Sequence, residues 1–294
     1  MALIDKYIKY LRYEKNYSLH TEISYSIDLR QFSDFLINNY PDVSLEVVDG
    51  DIVRQWVVSL MESKVSPRSV NRKLSTLKSF YKYLLRIGEV ASNPLNKIVG
   101  PKITKPLPVF VSGVDLDNIL DGMESDNSFE STRNRLILEL FYVTGMRRAE
   151  LIGLKDVDVD FFSGTVLVTG KRNKQRIIPV SNDVKAALAK YINLRNDEIA
   201  NLSGFLFVKE DGQPIYPMLA HRIVSSSLQQ ISTLAKTSPH VLRHSFATGM
   251  LNNGADINAV KELLGHSSLA ATEIYTHTSF EELKNIYNKA HPRA

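Results

Sequence analysis

Between Asn93 and Pro108 the chain carries Pro94, Pro101, Pro106 and Pro108 together with Gly100. Proline fixes φ and has no amide hydrogen to donate, so a stretch this rich in it continues neither a helix nor a central strand. A 294-residue chain interrupted at about a third of its length is read as two folding parts, residues 1–92 and 109–294, joined by a linker over 93–108. Both parts are long enough to bury a core without covalent staples. Lys97, Lys102 and Lys105 make the linker basic, which suits a segment running along nucleic acid and equally one that is only solvated.

Charge is spread as unevenly as proline. Residues 1–105 hold 16 Lys and Arg against 11 Asp and Glu, whereas residues 106–294 hold 20 against 21. A basic part joined to a near-neutral one fits a polyanion-gripping unit attached to a second unit, although ordinary variation in surface charge gives the same imbalance. With no cysteine there is no disulfide framework, no Cys-ligated zinc or iron–sulfur centre and no thiol nucleophile. The longest apolar stretch, Leu136 to Val143, is interrupted by Glu139 and is far too short to span a bilayer. Asp5, Lys6 and Lys9 stand where a secretion signal needs an unbroken apolar core, so the expected location is the cytoplasm, with no membrane partner.

Four helices are expected before the linker. Leu3, Ile4, Tyr7, Ile8 and Leu11 follow the helical period, as do Tyr25, Leu29, Phe32 and Leu36 behind a Ser18 cap, and Ile52, Val53, Trp56, Val57 and Leu60. The fourth is bracketed by Ser66 as N-cap, Pro67 at the first helical position and Gly88 as terminator, around a stripe of Val70, Leu74, Leu77, Tyr81 and Leu84. Its other faces present Arg68, Arg72, Lys73, Lys78, Lys82 and Arg86 with Ser75 and Ser79, the donor types that phosphate oxygens accept. A solvated face accounts for the same pattern.

After the linker, helices are expected at about 112–122, 131–144, 147–153, 182–196, 217–234, 240–252, 256–264, 268–275 and 279–288. Between the third and fourth lies a strand-rich stretch in which Val157 and Val159 alternate with Asp156, Asp158 and Asp160, followed by Thr165–Thr169 and Gln175–Val180 around a short turn. The fold class is therefore mainly α with one small antiparallel sheet.

Several familiar signatures fail on detail. Gly164 to Gly170-Lys171 has five intervening residues instead of the four of a phosphate-binding loop, and Arg172 stands where Ser or Thr must ligate magnesium. His240 and His244 have helical zinc-pair spacing, but Val241 occupies the place of the general-base Glu. Asp156, Asp158 and Asp160 would share one strand face and could hold a divalent cation, as in a metal-dependent nuclease, although a solvated edge explains them more cheaply.

Three clusters resist dismissal. Thr144-Gly145-Met146-Arg147-Arg148-Ala149-Glu150 ends one helix at a glycine and starts another at once, which puts an Arg at a corner with Glu150 one turn behind it. His240-Val241-Leu242-Arg243 follows Ser238-Pro239 and sets an imidazole and a guanidinium on one face near the positive end of a helix dipole. Leu264-Gly265-His266 precedes Ile274-Tyr275-Thr276-His277. In this order, with a Gly170-Lys171 hairpin between the first two, the set resembles the tyrosine recombinase (phage integrase) family, and within it the Xer subgroup. The resemblance runs over essentially the whole chain.

It implies an N-terminal helical core-binding (SAM-like) domain and a catalytic domain ending in an interaction helix. By position, the catalytic residues it implies are Arg147, Lys171, His240, Arg243, His266 and the nucleophile Tyr275, with Glu150 in support. DNA contacts would come from Arg68, Arg72, Lys78 and Lys82. The hairpin departs from the family's common Gly-Lys-Gly-x-Lys: Arg172 stands at the second Gly, a residue disfavoured where a turn needs φ > 0, so the turn shape is open, with Lys171 kept as the catalytic lysine and Lys174 as the fallback. The implied reaction is metal- and ATP-independent strand exchange through a 3′-phosphotyrosine, with no cofactor, serving either chromosome-dimer resolution or the integration or inversion of a mobile element. The implied partners are double-stranded DNA with inverted half-sites and a homotetramer, or a heterotetramer with a related recombinase. A DNA-binding regulator on the same fold is the other reading. Ser279-Phe280-Glu281-Glu282 reads as a capping box, and Phe280, Leu283 and Tyr287 as the stripe of a last helix expected to dock on a neighbouring protomer.

Overall fold

The structure, a computed structural model, describes residues 2–103, 110–123, 128–170, 173–199, 203–231, 234, 237–265 and 280–293. It divides into two compact units, residues 1–106 and 107–294.

In the first unit the four expected helices are α1 (Ala2–Tyr13), α2 (Leu19–Asn39), α3 (Gly50–Glu62) and α4 (Pro67–Arg86). Local chemistry sets their starts. Ser18, Asp49 and Ser66 each accept backbone N–H groups of the first turn that have no partner inside the helix. α4 stops where Gly88 takes φ +76°, which lets the Glu89 N–H reach back to Leu84 O at 3.0 Å. The apolar stripes meet in a core around Tyr7, Phe32, Trp56, Phe80 and Tyr81, with the Trp56 and Phe32 rings edge to face at 4.9 Å. The described part of the proline-rich stretch has no helix or strand but is not loose. Leu95 is buried in the helical core, and Asn71 Nδ2 donates to Pro101 O at 2.8 Å.

The second unit is built on α6 (Phe129–Thr144), whose residues from Leu136 to Thr144 are all buried. That continuous burial is why its apolar run is the longest in the chain. Around it pack α8 (Asn182–Glu198), α9 (Pro217–Leu228) and α10 (Pro239–Asn252), with α5 (Gly113–Gly122), α7 (Arg148–Ile152) and α11 (Ile257–Leu264) completing the layer. The sheet is antiparallel in the order β1 (Val159–Asp160), β2 (Thr165–Thr169), β3 (Gln175–Pro179), with Val166 opposite Ile178 and Val168 opposite Arg176.

Two expectations are corrected. Asp156, Asp158 and Asp160 do not share a strand face, because residues 156–158 form a 3-10 turn and β1 has two residues. Each carboxylate takes a different neighbour: Asp156 pairs with Arg195 at 2.8 Å, Asp158 accepts the Lys155 N–H, and Asp160 accepts the N–H groups of Phe162 and Ser163. Short acidic side chains compete for nearby backbone donors, and here that competition defeats the strand. α9 ends at Leu228, not at 234, where the hydroxyls of Ser226 and Ser227 bond back to Ile223 O. The last helix, α12 (Phe280–Ala290), packs on its own domain: Tyr287 and Ala290 join Phe246, Met250, Val260 and Leu263 in one cluster, and Asn253 Nδ2 holds Ala290 O at 2.8 Å. A helix of 11 residues needs such a surface, and α10 and α11 supply it within the chain. The helix expected at 268–275 and the Ser279 cap lie outside the described residues.

Candidate active site

The site begins where α6 ends. Gly145 takes φ +57° and closes the helix with its N–H on Phe141 O. A Cβ there would come within 2.7 Å of Phe246 Cδ1 and 2.8 Å of Leu264 Cδ2, so both the backbone angle and the packing require glycine. The reversal lets α7 start almost at once, with Arg147 as its N-cap residue. Glu150, in the first turn, accepts the Arg147 N–H and Arg147 Nη1, each at 2.7 Å. A carboxylate at a helix N-terminus is also favoured by the helix dipole.

Two further arginines converge on the same place. Arg176, on β3, donates from both terminal nitrogens to Glu150 at 3.1 and 2.9 Å and from Nε to Leu263 O at 2.6 Å. Arg243, on the second turn of α10, donates to Gly145 O at 2.6 Å and Leu264 O at 2.8 Å. Arg147 Nη2 reaches Gly265 O at 3.3 Å. The carbonyls of Leu263, Leu264 and Gly265, consecutive at the C-terminal end of α11, thus each receive one guanidinium from a different element. Helix C-terminal carbonyls carry partial negative charge, so three cations gather there favourably.

The charge does not balance. Among the described residues, three guanidinium groups face one carboxylate. Burial, followed by the neighbouring Arg147 charge, pushes the Arg243 pKa down to about 10. For Glu150, burial raises the pKa, but the hydrogen bonds from Arg176 and from the Arg147 backbone outweigh it and hold the carboxyl below its usual range. Arg147 and Arg243 have five N–H donors each, of which two are engaged with described residues through the side chain. The remainder, on a site with excess positive charge, suit an anion with several oxygens.

Of the residues singled out from sequence, Arg147, Glu150 and Arg243 are brought together. His240 is exposed one turn before Arg243 on α10. Lys171, His266 and Tyr275 lie outside the described residues. The elements leading to them end at the site: the Gly170 N–H bonds Lys174 O at 2.7 Å at the base of the hairpin, and Gly265 is the last residue before His266. Of the described residues of that hairpin, Asn173 takes a positive φ, which its residue type tolerates. Arg176 was missed. The legible signal was strand alternation, which places Arg176 on the face of buried Ile178 while Ile177 points outward, so a cation sits on the inward face. In the first unit Arg68, Lys78 and Lys82 are exposed on α4, whereas Arg72 is committed to Asp28 and Ser24 of α2. Among the described residues no group of three metal-ligating side chains occurs, and no helix is long and apolar enough to cross a membrane.

Comparison with known proteins agrees with this geometry. Residues 110–282 match the phage integrase family and residues 4–88 the phage integrase N-terminal SAM-like domain. The chain is 39% identical to the tyrosine recombinase XerC of Chlorobaculum parvum over 99% of this chain and 94% of that one. It is 36% identical to the tyrosine recombinase XerC of Bacillus subtilis over 99% and 96%. Among solved structures, the XerH site-specific recombinase bound to a palindromic difH substrate shares the fold at a TM-score of 0.74, with 24% identity over 96% of this chain and 82% of that one. Two matched domains, relatives aligned from end to end and arginines converging at the expected corner lead to one assignment: the chain belongs to the phage integrase family, as a tyrosine site-specific recombinase of the Xer type.

Proposed function

We propose that the chain cuts and rejoins duplex DNA at inverted half-sites, in the cytoplasm, as a tetramer of itself or with a related recombinase, in the Xer role of resolving joined chromosomes. The Tyr275 hydroxyl attacks phosphorus, and the P–O bond to the 5′ oxygen breaks. A 3′-phosphotyrosine and a free 5′ hydroxyl result, so the bond energy is conserved for religation without ATP. Arg147 and Arg243 neutralise the charge that builds on the non-bridging oxygens, the service a metal ion gives elsewhere. His240 assists removal of the tyrosine proton, Lys171 protonates the leaving oxygen, and His266 adds a hydrogen bond to the phosphate. Arg68, Lys78 and Lys82 meet the DNA backbone. Arg72 joins them with the donors that Asp28 and Ser24 leave over.

The observation that carries this reading is the pair Arg147 and Arg243, held 2.6 to 3.3 Å from the carbonyls of Gly145, Leu264 and Gly265, with Glu150 as their only acidic partner among the described residues. The test is a denaturing gel of the full chain with a nicked duplex whose binding sequence has first been selected from a random library. Wild type forms a covalent adduct in the presence of EDTA, and Tyr275→Phe forms none while still shifting the duplex on a native gel. An adduct in the Phe variant removes Tyr275 as nucleophile, and loss of cleavage in EDTA favours a metal-dependent nuclease.

A further inference from the structure

Glu150 uses its whole accepting capacity. A carboxylate offers about four lone-pair sites, and here Oε1 takes Arg147 Nη1 and Arg176 Nη1 while Oε2 takes the Arg147 N–H and Arg176 Nη2. Its side chain is 3% exposed, so water does not replace a lost partner easily. Arg176 supplies half of those bonds and is itself fixed by a third, from Nε to Leu263 O. Space for its guanidinium depends on Gly265, where a Cβ would sit 3.2 Å from Arg176 Nη1.

Resting on the recombinase roles given above, we infer that Arg176 is a positioning residue for strand cleavage, acting through Glu150 to keep the free donors of Arg147 and Arg243 turned towards the scissile phosphate. The physical reason is competition. With Arg176 gone, two buried lone pairs of Glu150 need donors, and among the described residues the guanidinium of Arg147, already bonded to it, and that of Arg243, whose charge acts on it, are at hand. The carboxylate then turns onto them and occupies donors that the phosphate uses. Leu263 O loses its partner as well, which loosens the end of α11 just before His266. DNA affinity is spread over many backbone contacts and changes little.

The experiment is single-turnover cleavage by the full chain on the selected nicked duplex, with Arg176→Met and the charge-keeping Arg176→Lys. Each is measured with an ordinary 5′ oxygen and with a 5′-phosphorothiolate leaving group. The Met variant is expected to cut about 10²-fold more slowly per folded, DNA-bound molecule, the scale of a small misplacement at a reacting centre. The Lys variant falls between it and wild type. The thio leaving group, which needs no proton, restores neither, because the defect lies at Arg147 and not at Lys171. In a Glu150→Gln background the further loss on adding Arg176→Met is expected to be small, since both changes act on one contact. Wild-type rates in both variants, full rescue by the thio substrate, or effects that simply multiply would each overturn the inference. A wild type that forms no adduct overturns the recombinase roles themselves, a different and visible failure.

Discussion

In each unit of this molecule one buried carboxylate takes two or more cations, Asp28 in the first and Glu150 in the second, and the two cases are solved differently. In the first unit Asp28 of α2, 1% exposed, takes Arg72 and Lys73 of α4, with Lys73 Nζ at 2.9 Å and the Thr76 hydroxyl at 3.1 Å. Both cations have a carboxylate oxygen, and Arg72 keeps its remaining donors in water, being about half exposed. In the second unit Glu150 stands among three arginines, and among the described residues Arg243 hydrogen-bonds to no carboxylate, only to neutral carbonyls. The first arrangement is complete as it stands and joins two helices. The second is short of negative charge in a half-buried place, which is the condition of a site that awaits an anion. Whether every cation reaches a carboxylate oxygen separates a structural ion pair from a binding site better than burial does, since both carboxylates are buried.

If that distinction is right, the largest loss of stability comes from the complete pair. Asp28→Ala leaves Lys73, which is buried, without its counter-charge, and removing one partner of a buried pair costs about 3–5 kcal/mol. Hydrogen exchange on the full chain reads this locally: amides of α2 and α4 are expected to lose protection on that scale while those of α6 do not. Unchanged exchange in α4 would mean that Arg72 and Lys73 are held by something other than Asp28.

A third way of burying an ionisable group is to keep it neutral, and His291 does so. Stacked on Tyr287 at 5.0 Å and edge-on to Tyr142, it has its pKa pushed down to about 4 by burial. The unfolded chain, with a His pKa near 6.5, binds that proton more readily than the folded one between about pH 6.5 and 4. Stability therefore falls as pH drops through that window, by about 3 kcal/mol across it. Urea melts of wild type and His291→Phe are expected to diverge below pH 6.5, with the Phe variant the less acid-sensitive. Glu139, whose burial raises its pKa and so works in the opposite direction, is present in both chains and cancels. Parallel pH dependence in the two chains would refute the neutral burial of His291.

Much of this was legible in the sequence, for reasons specific to each residue. Ser66-Pro67 and Gly88 marked α4 because capping is local chemistry. Gly145, Arg147 and Glu150 were legible as a corner for the same reason. What failed was anything decided across the chain. Asp156 was read with its sequence neighbours, but its partner Arg195 lies 39 residues away. Arg176 gave only an alternation signal, because its partners Glu150 and Leu263 come from α7 and α11. The stripe of α12 showed that it must dock but not where, since Phe246 and Val260 make as good a surface as any neighbour would.

The smallest expected effect tests the charge imbalance most directly. An anion that binds the folded chain alone stabilises it by RT ln(1 + [L]/Kd), about 1.4 kcal/mol at ten times the dissociation constant. For a unit of this size that is a rise of roughly 3–6 °C in melting temperature. Inorganic phosphate is the simplest probe, but it also stabilises proteins in general by exclusion from their surfaces. The informative quantity is the difference between wild type and Arg243→Ala. Without phosphate the variant loses two hydrogen bonds to carbonyls, each worth about 1 kcal/mol, and gains relief from the nearby charges of Arg147 and Arg176. It therefore melts close to wild type. With phosphate, wild type rises further than the variant, because the unpaired cation that attracts the anion is gone. If both chains rise equally, the excess charge around Glu150 is already neutralised within the chain, and the contrast with Asp28 fails.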